Sequence, residues 1–275
     1  YGCFVINIRR DLQNDEADIL HRFAVEFERA YTRFLDLQKA EAQAREAEIE
    51  AALERVRSQT MAMHDSQDVG KTVVTFFDEV MKLGLNKDIR CGIGILEDRE
   101  KMETWSATSY PNGDVDLQVG LLDMKRHPLI KGLEAAWKNK EDGYVGKLIG
   151  EDVVRYYEQL IEEPDYPFHV DLENLPDKEY HKSFFFSSGI IFTFTKTPIS
   201  EEAALVLNRF ASVFGQTYRR FLDLQKAEAQ AKEAKVEAAL EKVRSRTMAM
   251  QASSELQEAA NLLFLEIQAL GINAW

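Results

Sequence analysis

Phe34–Ala44 reads FLDLQKAEAQA, and Phe221–Ala231 reads FLDLQKAEAQA again. The same offset of 187 residues carries AALERVRSQTMAM (Ala51–Met63) onto AALEKVRSRTMAM (Ala238–Met250) and RFAVEF (Arg22–Phe27) onto RFASVF (Arg209–Phe214). Further out, Phe77, Leu83, Gly84 and Asn86 return as Phe264, Leu270, Gly271 and Asn273, and Gly2 returns as Gly189. An offset that holds this far marks a repeat unit, and the repeat sets the scale of the fold before any element is assigned. The 275 residues hold about one and a half units. With no initiator Met and no leader at its start, the chain reads as a piece of a longer array.

The repeated phrase lies inside a long helical stretch. From Ser200 to Ala252 there is no Pro and a single Gly, Gly215, and strong helix formers dominate. Pro198 precedes this stretch, and Ser200-Glu201-Glu202 supplies an N-cap and an acidic first turn. A helix over 200–252, roughly 80 Å long, is therefore predicted, and its copy over 14–66. Leu207, Phe214 and Phe221 are spaced by seven, as are Phe210, Thr217, Leu224, Ala231 and Ala238. Phe27, Phe34 and Leu37 hold the same places in the first helix. Two readings are open: a solvated single helix held by i,i+4 ion pairs, or a two-stranded coiled coil. The heptads favour the second, with a stutter where Ala227 and Ala234 join the stripe. A parallel homodimer is expected, with Phe27, Phe34, Leu37, Leu207, Phe210, Phe214, Phe221, Leu224, Ala231 and Ala238 at its seam, because a monomer would leave that stripe wet.

Composition bounds the rest. The chain is 45% hydrophobic and 29% charged, enough for a core and a soluble surface. A net charge of −13 disfavours a nucleic-acid partner, since phosphate backbones attract basic surfaces. No apolar run approaches the ~18 residues of a membrane span. Cys3 and Cys91 make no disulfide framework, so a reducing, cytoplasmic setting is expected.

Between the long helices, Ser66–Leu85 is amphipathic, with Val69, Val73, Phe76, Phe77, Val80 and Leu83 on one face and Gly84 as the stop. Ile89–Leu96 alternates as a strand, with Ile89, Cys91, Ile93 and Ile95 on one face. EDREK turns the chain into a partner strand over Met102–Ser109, and Val115–Leu122 supplies a third. A helix is predicted over His127–Gly143, opened by His127-Pro128 and stopped by Gly143; a short strand follows, then a helix over Glu151–Glu163. Two aromatic strands, His181–Ser188 and Gly189–Lys196, complete the unit. The class is α+β: an antiparallel sheet with helices on both sides, joined to long coiled-coil linkers.

The closing run GIIFTFTKTPISEEAALVLNRFASVF resembles the end of a GAF domain: a last strand, a loop, an acidic helix start (Ile199–Glu202) and a core pattern on the exit helix (Leu205, Leu207, Phe210, Ala211). ALEKVRSRTMAM and SELQEAANLLFLEIQALGI are similar to the connectors and first helices of such domains in bacterial sensor histidine kinases and nucleotide cyclases. The resemblance implies five parts: the last strand and loop of one GAF-like unit over 1–13, a linker helix over 14–66, a complete domain over 67–199, a second linker over 200–252 and the start of a further unit over 253–275. It also implies a cytoplasmic module of signal transduction that senses a small molecule or dimerises. Cyclic-nucleotide members carry Asn-Lys followed by Phe-x-x-x-Asp-Glu. Asn86-Lys87 is present but the rest is not, and FFDE (Phe76–Glu79) precedes it. Members that bind bilins use a pocket Cys; Cys91 could serve, or be a small core residue. Cys91, Trp105, Tyr144 and Phe186 are the candidate ligand-binding residues. Trp137, Tyr144, Tyr156, Tyr157 and Tyr166 could line a pocket or fill a core.

No catalytic constellation is visible. His21, His64, His127, His169 and His181 lack metal-ligand spacing. There is no phosphate loop, GxSxG elbow or CxxC, and VGKLIGED (Val145–Asp152) does not match GxxxxGK[ST]. The segment is read as non-enzymatic, with no cyclic-nucleotide, haem or metal signature and with its cofactor open. Two functions follow: a sensory region that signals through its helices to a kinase or cyclase, or a ligand-free scaffold that sets spacing and dimerisation.

Overall fold

The computed structural model describes residues 3, 5–7, 9–63, 68–85, 89–96, 100–109, 115–166 and 168–272. His64, Asn86, Lys87 and most of the EDREK turn lie outside them. The chain is α+β. Six strands form one antiparallel sheet in the order β3-β2-β1-β6-β5-β4: β1 (Ile89–Ile95), β2 (Lys101–Ser109), β3 (Val115–Asp123), β4 (Gly143–Ile149), β5 (Lys178–Phe186) and β6 (Gly189–Thr195). The helices are α1 (Asn14–Met61), α2 (Asp68–Lys82), α3 (Pro128–Lys138), α4 (Glu151–Ile161), α5 (Glu201–Met248) and α6 (Leu256–Ala269).

The central strands β1 and β6 are buried along their whole length, so both faces of the sheet are covered. One face meets α2 and the first half of α5, and the second half of α1 packs on those two helices. Ile89, Cys91, Ile93, Trp105, Phe184, Phe186 and Ile191 point into this helix-side core. Phe210 of α5 meets Phe76 of α2 edge-on at 5.3 Å, and Phe214 meets Phe186 at 5.2 Å. The other face is covered by α3 and α4, over Met102, Leu122, Leu148, Ile190, Phe192 and Phe194.

Local signals set several boundaries. Ser200 Oγ accepts the Ala203 N–H at 3.1 Å and opens α5. Gly84 has φ +63 just past α2, the left-handed conformation that glycine adopts at no steric cost. His127 caps α3, its Nδ1 accepting the Leu129 N–H at 3.1 Å, and Pro128 takes the first helical position, where its missing N–H costs nothing. Gly143 does not stop this helix. α3 ends at Lys138, Asn139 caps it, and Lys140 takes a positive φ of 57; Gly143 instead opens β4, opposite Phe184. α5 ends at Met248 rather than Ala252, because the Glu255 carboxylate captures the N–H groups of Gln251 and Ala252 and pairs with Arg246. α1 ends at Met61. No strand is assigned among the described residues of 1–13; Tyr1, Gly2, Phe4 and Ile8, which the expected closing strand includes, lie outside them.

The expected seam divides in two. Leu207, Phe210, Phe214 and Phe221, predicted to meet a second chain, are buried in the chain's own core of sheet, α2 and the second half of α1. Their heptad spacing is also the spacing of a helix lying on a sheet, and intramolecular burial wins because the partner is covalently at hand. Phe27, Phe34, Leu37, Leu224, Ala231 and Ala238 are exposed.

α1 and α2 are tied by an ion pair. Glu79 is 2% exposed and accepts Arg55 at 2.6 Å and Lys82 at 3.1 Å. The Arg55 hydrogen bond holds its carboxyl below the ordinary range, so this stabilisation is present above that range and is lost as pH falls into it. The repeat places Lys242 and Glu266 in the same relation on α5 and α6, at 2.9 Å. Arg55→Ala should cost about 1–3 kcal/mol by leaving a buried carboxylate with Lys82 alone. Lys242→Ala, on a more open pair, should cost under about 0.5 kcal/mol. Urea unfolding of both variants checks this; equal losses would contradict it.

Candidate ligand chamber on the sheet

The chamber lies on the face that α3 and α4 cover. The β-register sets its floor. Arg90 of β1 stands beside Phe194 of β6, and Phe194 beside His181 of β5, so the three form one row across the sheet. Thr104 and Met102 of β2 and Ile190 and Phe192 of β6 continue the floor. Ile130 and Leu133 of α3, and Tyr156 and Leu160 of α4, form the roof. Tyr166 closes the side, and Gly120 lets it approach: a Cβ there would fall 2.6 Å from the Tyr166 Cα. The cavity is about 20 Å³, room for about one water molecule.

Arg90 dominates the electrostatics. Its Cζ lies 4.0 Å from the Phe194 ring centroid, 5.3 Å from that of Phe168 and 5.6 Å from that of Tyr157. Stacking over aromatic faces partly offsets the cost of burying the charge. Its Nη2 donates to the Tyr157 hydroxyl at 3.4 Å, and that hydroxyl donates to Glu179 Oε2 at 2.7 Å. Burial works against the Arg90 charge and the nearby Glu179 favours it, and an arginine keeps its proton at physiological pH. Among the described residues Arg90 makes no ion pair, and its Nε has no hydrogen-bond partner.

His181 is the second polar group of the row. Its ring lies 4.5 Å from Phe194 and 5.9 Å from Tyr144, and its Nε2 shares a hydrogen bond of 2.7 Å with Ser183 Oγ. Its Nδ1 is buried without a partner among the described residues. Burial, helped by the Arg90 charge, lowers its pKa to about 3, so the ring is neutral at physiological pH. The chamber thus presents one fixed cation and one neutral imidazole, each with an unused nitrogen, within an aromatic wall. Such a set suits a small anion: a guanidinium offers charge and planar donors, and aromatic faces accept a flat or apolar body. Ser183 and His181 stand together as a hydroxyl beside a base, but the Ser183 side chain is not part of the cavity lining.

The sequence candidates fall elsewhere. Cys91, Trp105 and Phe186 lie in the helix-side core, on the opposite face. Burial pushes the Cys91 thiol well above its ordinary pKa, so it is a protonated core group. Tyr144 is on the chamber's face but beside it, packed near His181 and against Gly132. Of the tyrosines read as pocket or core, Tyr156 and Tyr166 line the cavity, while Tyr157 works from behind through Arg90. Arg90 and His181 were not singled out for the chamber. The available signal was the apolar run of β6 on both its faces, which implies that the neighbouring β1 and β5 are also covered on both sides.

Among the histidines, His127 caps α3 and places its Nε2 3.5 Å from Asp152, while His21 is exposed on α1. Among the described residues no group of three or more His, Cys, Asp or Glu could hold a metal ion, and no helix is long and apolar enough to cross a membrane. No family model matches the chain, and no curated protein matches it either.

Proposed function

We propose that this chain is a non-catalytic sensory region of a cytoplasmic bacterial signal-transduction protein. A GAF-like domain binds a small anionic molecule and passes the event through its long helices to a kinase or cyclase outside the segment. The six-stranded antiparallel sheet with helices on both faces is compatible with a GAF-like domain. The observation that carries the reading is the pair Arg90 and His181, both buried, with Nε and Nδ1 unpartnered, in one row of the sheet. Buried polar atoms are costly to leave unpaired, so a site that keeps two of them is arranged for something that pairs with them. The opposite face of the same strands packs on α2 and α5, and α1 packs on both of those helices, so a shift of β1 or β6 reaches α5 directly and α1 through it.

Of the exposed seam positions, Leu37 on α1 and Leu224, Ala231 and Ala238 on α5 lie beyond the aromatic pair Phe27 and Phe34, and Ala44 and Ala51 hold on α1 the places of Ala231 and Ala238. They recur at seven-residue spacing, and a parallel homodimer through them completes the proposal. Light scattering at tens of micromolar protein tests it, and a monomer would remove this part.

A ligand-free scaffold is the second reading, favoured by the small size of the cavity, about 20 Å³. Thermal and urea unfolding in saturating small carboxylates and inorganic phosphate separates the two. A bound anion at a hundred times its Kd adds about 2.7 kcal/mol to stability, and Arg90→Met should abolish that gain. Without the anion, Arg90→Met should be neutral or stabilising, because it removes a buried charge that no carboxylate pairs. No stabilisation of the unmodified chain by any of these anions favours the scaffold.

A further inference from the structure

The repeat gives a direct comparison that no single domain offers: two near-identical helix stripes in opposite environments. On α5, Leu207, Phe210, Phe214, Tyr218 and Phe221 are buried in the core that the sheet, α2 and the second half of α1 form with it. At the same offset on α1 stand Leu20, Phe23, Phe27, Tyr31 and Phe34, residue for residue the same types. There Phe23 is 65% exposed, Phe27 62%, Tyr31 52% and Phe34 51%. The aromatic ladder is already formed. Phe27, Tyr31 and Phe34 stack in sequence at 6.2 Å, much as Phe214, Tyr218 and Phe221 do at 5.4 and 5.8 Å. The polar edge repeats as well: Arg209 pairs with Glu46 and Glu50 of the entering helix, and Arg22 holds the Arg209 position on α1.

We propose that the stripe Leu20–Phe34 on α1 is the docking strip for the sheet face of another unit of the same repeat, lying N-terminal to it in the polypeptide. Four exposed aromatic residues on one helix face form a patch that an isolated surface does not keep without a partner. The chain itself displays the partner's form in how α5 sits on its own sheet. One departure specifies that partner further. Gly215 lies where a Cβ would fall 2.5 Å from the Phe186 Cβ, and α1 has Glu28 at that position. The covering unit therefore carries a residue smaller than Phe at the place of Phe186, with room for the Glu28 stem.

The test is a chain in which a second copy of residues 38–195 is joined directly ahead of Arg9, preserving the 187-residue offset, with Glu28→Gly to admit the copied Phe186. Amide exchange through residues 20–34 should slow by about tenfold or more relative to the original chain. Phe27→Asp should reverse that protection in the extended chain and leave the melting of the original chain unchanged. Fast exchange through 20–34 with both units folded overturns the proposal. So does an added unit that fails to fold cooperatively, since the strip would then be unable to supply its exit-helix layer. Concentration-dependent protection of the stripe in the original chain, with Phe27→Cys cross-linking between two copies, assigns it to a second chain and overturns it too.

Discussion

Phe210→Ala is expected to destabilise the protein by about 3–5 kcal/mol, while Phe23→Ala, the same substitution one repeat earlier, costs less than about 0.5 kcal/mol. Phe210 is fully buried and sits edge-on to Phe76 in the helix-side core. Its removal deletes the buried area of a whole ring and leaves a cavity between α2, α5 and the sheet that a packed interior fills only partly. Phe23 has the same neighbours along the chain, Arg22 matching Arg209 and Ala24 matching Ala211, but is 65% exposed. Urea unfolding followed by circular dichroism measures both. Equal losses at the two positions would mean that α1 is packed on something in solution as firmly as α5 is on the sheet. Loss at neither would mean that the helix-side core is not the seat of stability.

The second large effect is acid lability through His181. Burial lowers its pKa from the ordinary 6.5 to about 3. A base whose pKa falls on folding binds its proton more readily in the unfolded chain, so acid favours unfolding. The stabilisation is complete above pH 6.5 and is lost progressively as pH falls toward about 3. At about 1.4 kcal/mol per pH unit, His181 alone removes about 2 kcal/mol by pH 5 and about 3 kcal/mol by pH 4. Arg90 opposes protonation across the chamber, while Phe194, Tyr144 and Ser183 offer the imidazolium no anion. Carboxylates such as Glu79 add their own acid dependence, so the comparison is with His181→Gln. That variant should lose about 3 kcal/mol less than the parent between pH 7 and pH 4, whatever its starting stability. Parallel loss in the two chains would show that His181 is solvated and that the chamber is open.

Much of the architecture was legible from the chain. The heptads and absent prolines announced the long helices, and the acidic start after Pro198 set the beginning of α5 to within a residue. The alternation of Ile89, Cys91, Ile93 and Ile95 placed one face of β1 in the helix-side core, where the structure has it. These features depend on neighbours a few residues apart, which sequence displays directly. The candidate chamber was not legible in this way. Nothing in Arg90, Gly92 and Gly94 themselves says that α3 and α4, some 40–70 residues further on, are the helices that cover their side of β1. The row from Arg90 through Phe194 to His181 joins positions about a hundred residues apart through the β1–β6 and β6–β5 registers. Cys91, Trp105 and Phe186 were chosen for their chemistry, and the strand pleat turns all three the other way.

Phe23 and Phe210 state the division most plainly. Their shared local sequence was enough to make both helical and to put both on an apolar stripe, because helix formation and amphipathicity depend on residues within a few turns. Their opposite burial was not written in those residues. Burial is a relation between surfaces: Phe210 meets a sheet assembled from strands 15–120 residues upstream of it, and Phe23 has no such sheet behind it among the described residues. Chain connectivity and strand pairing, rather than the helix sequence, separate a core residue from an exposed docking one.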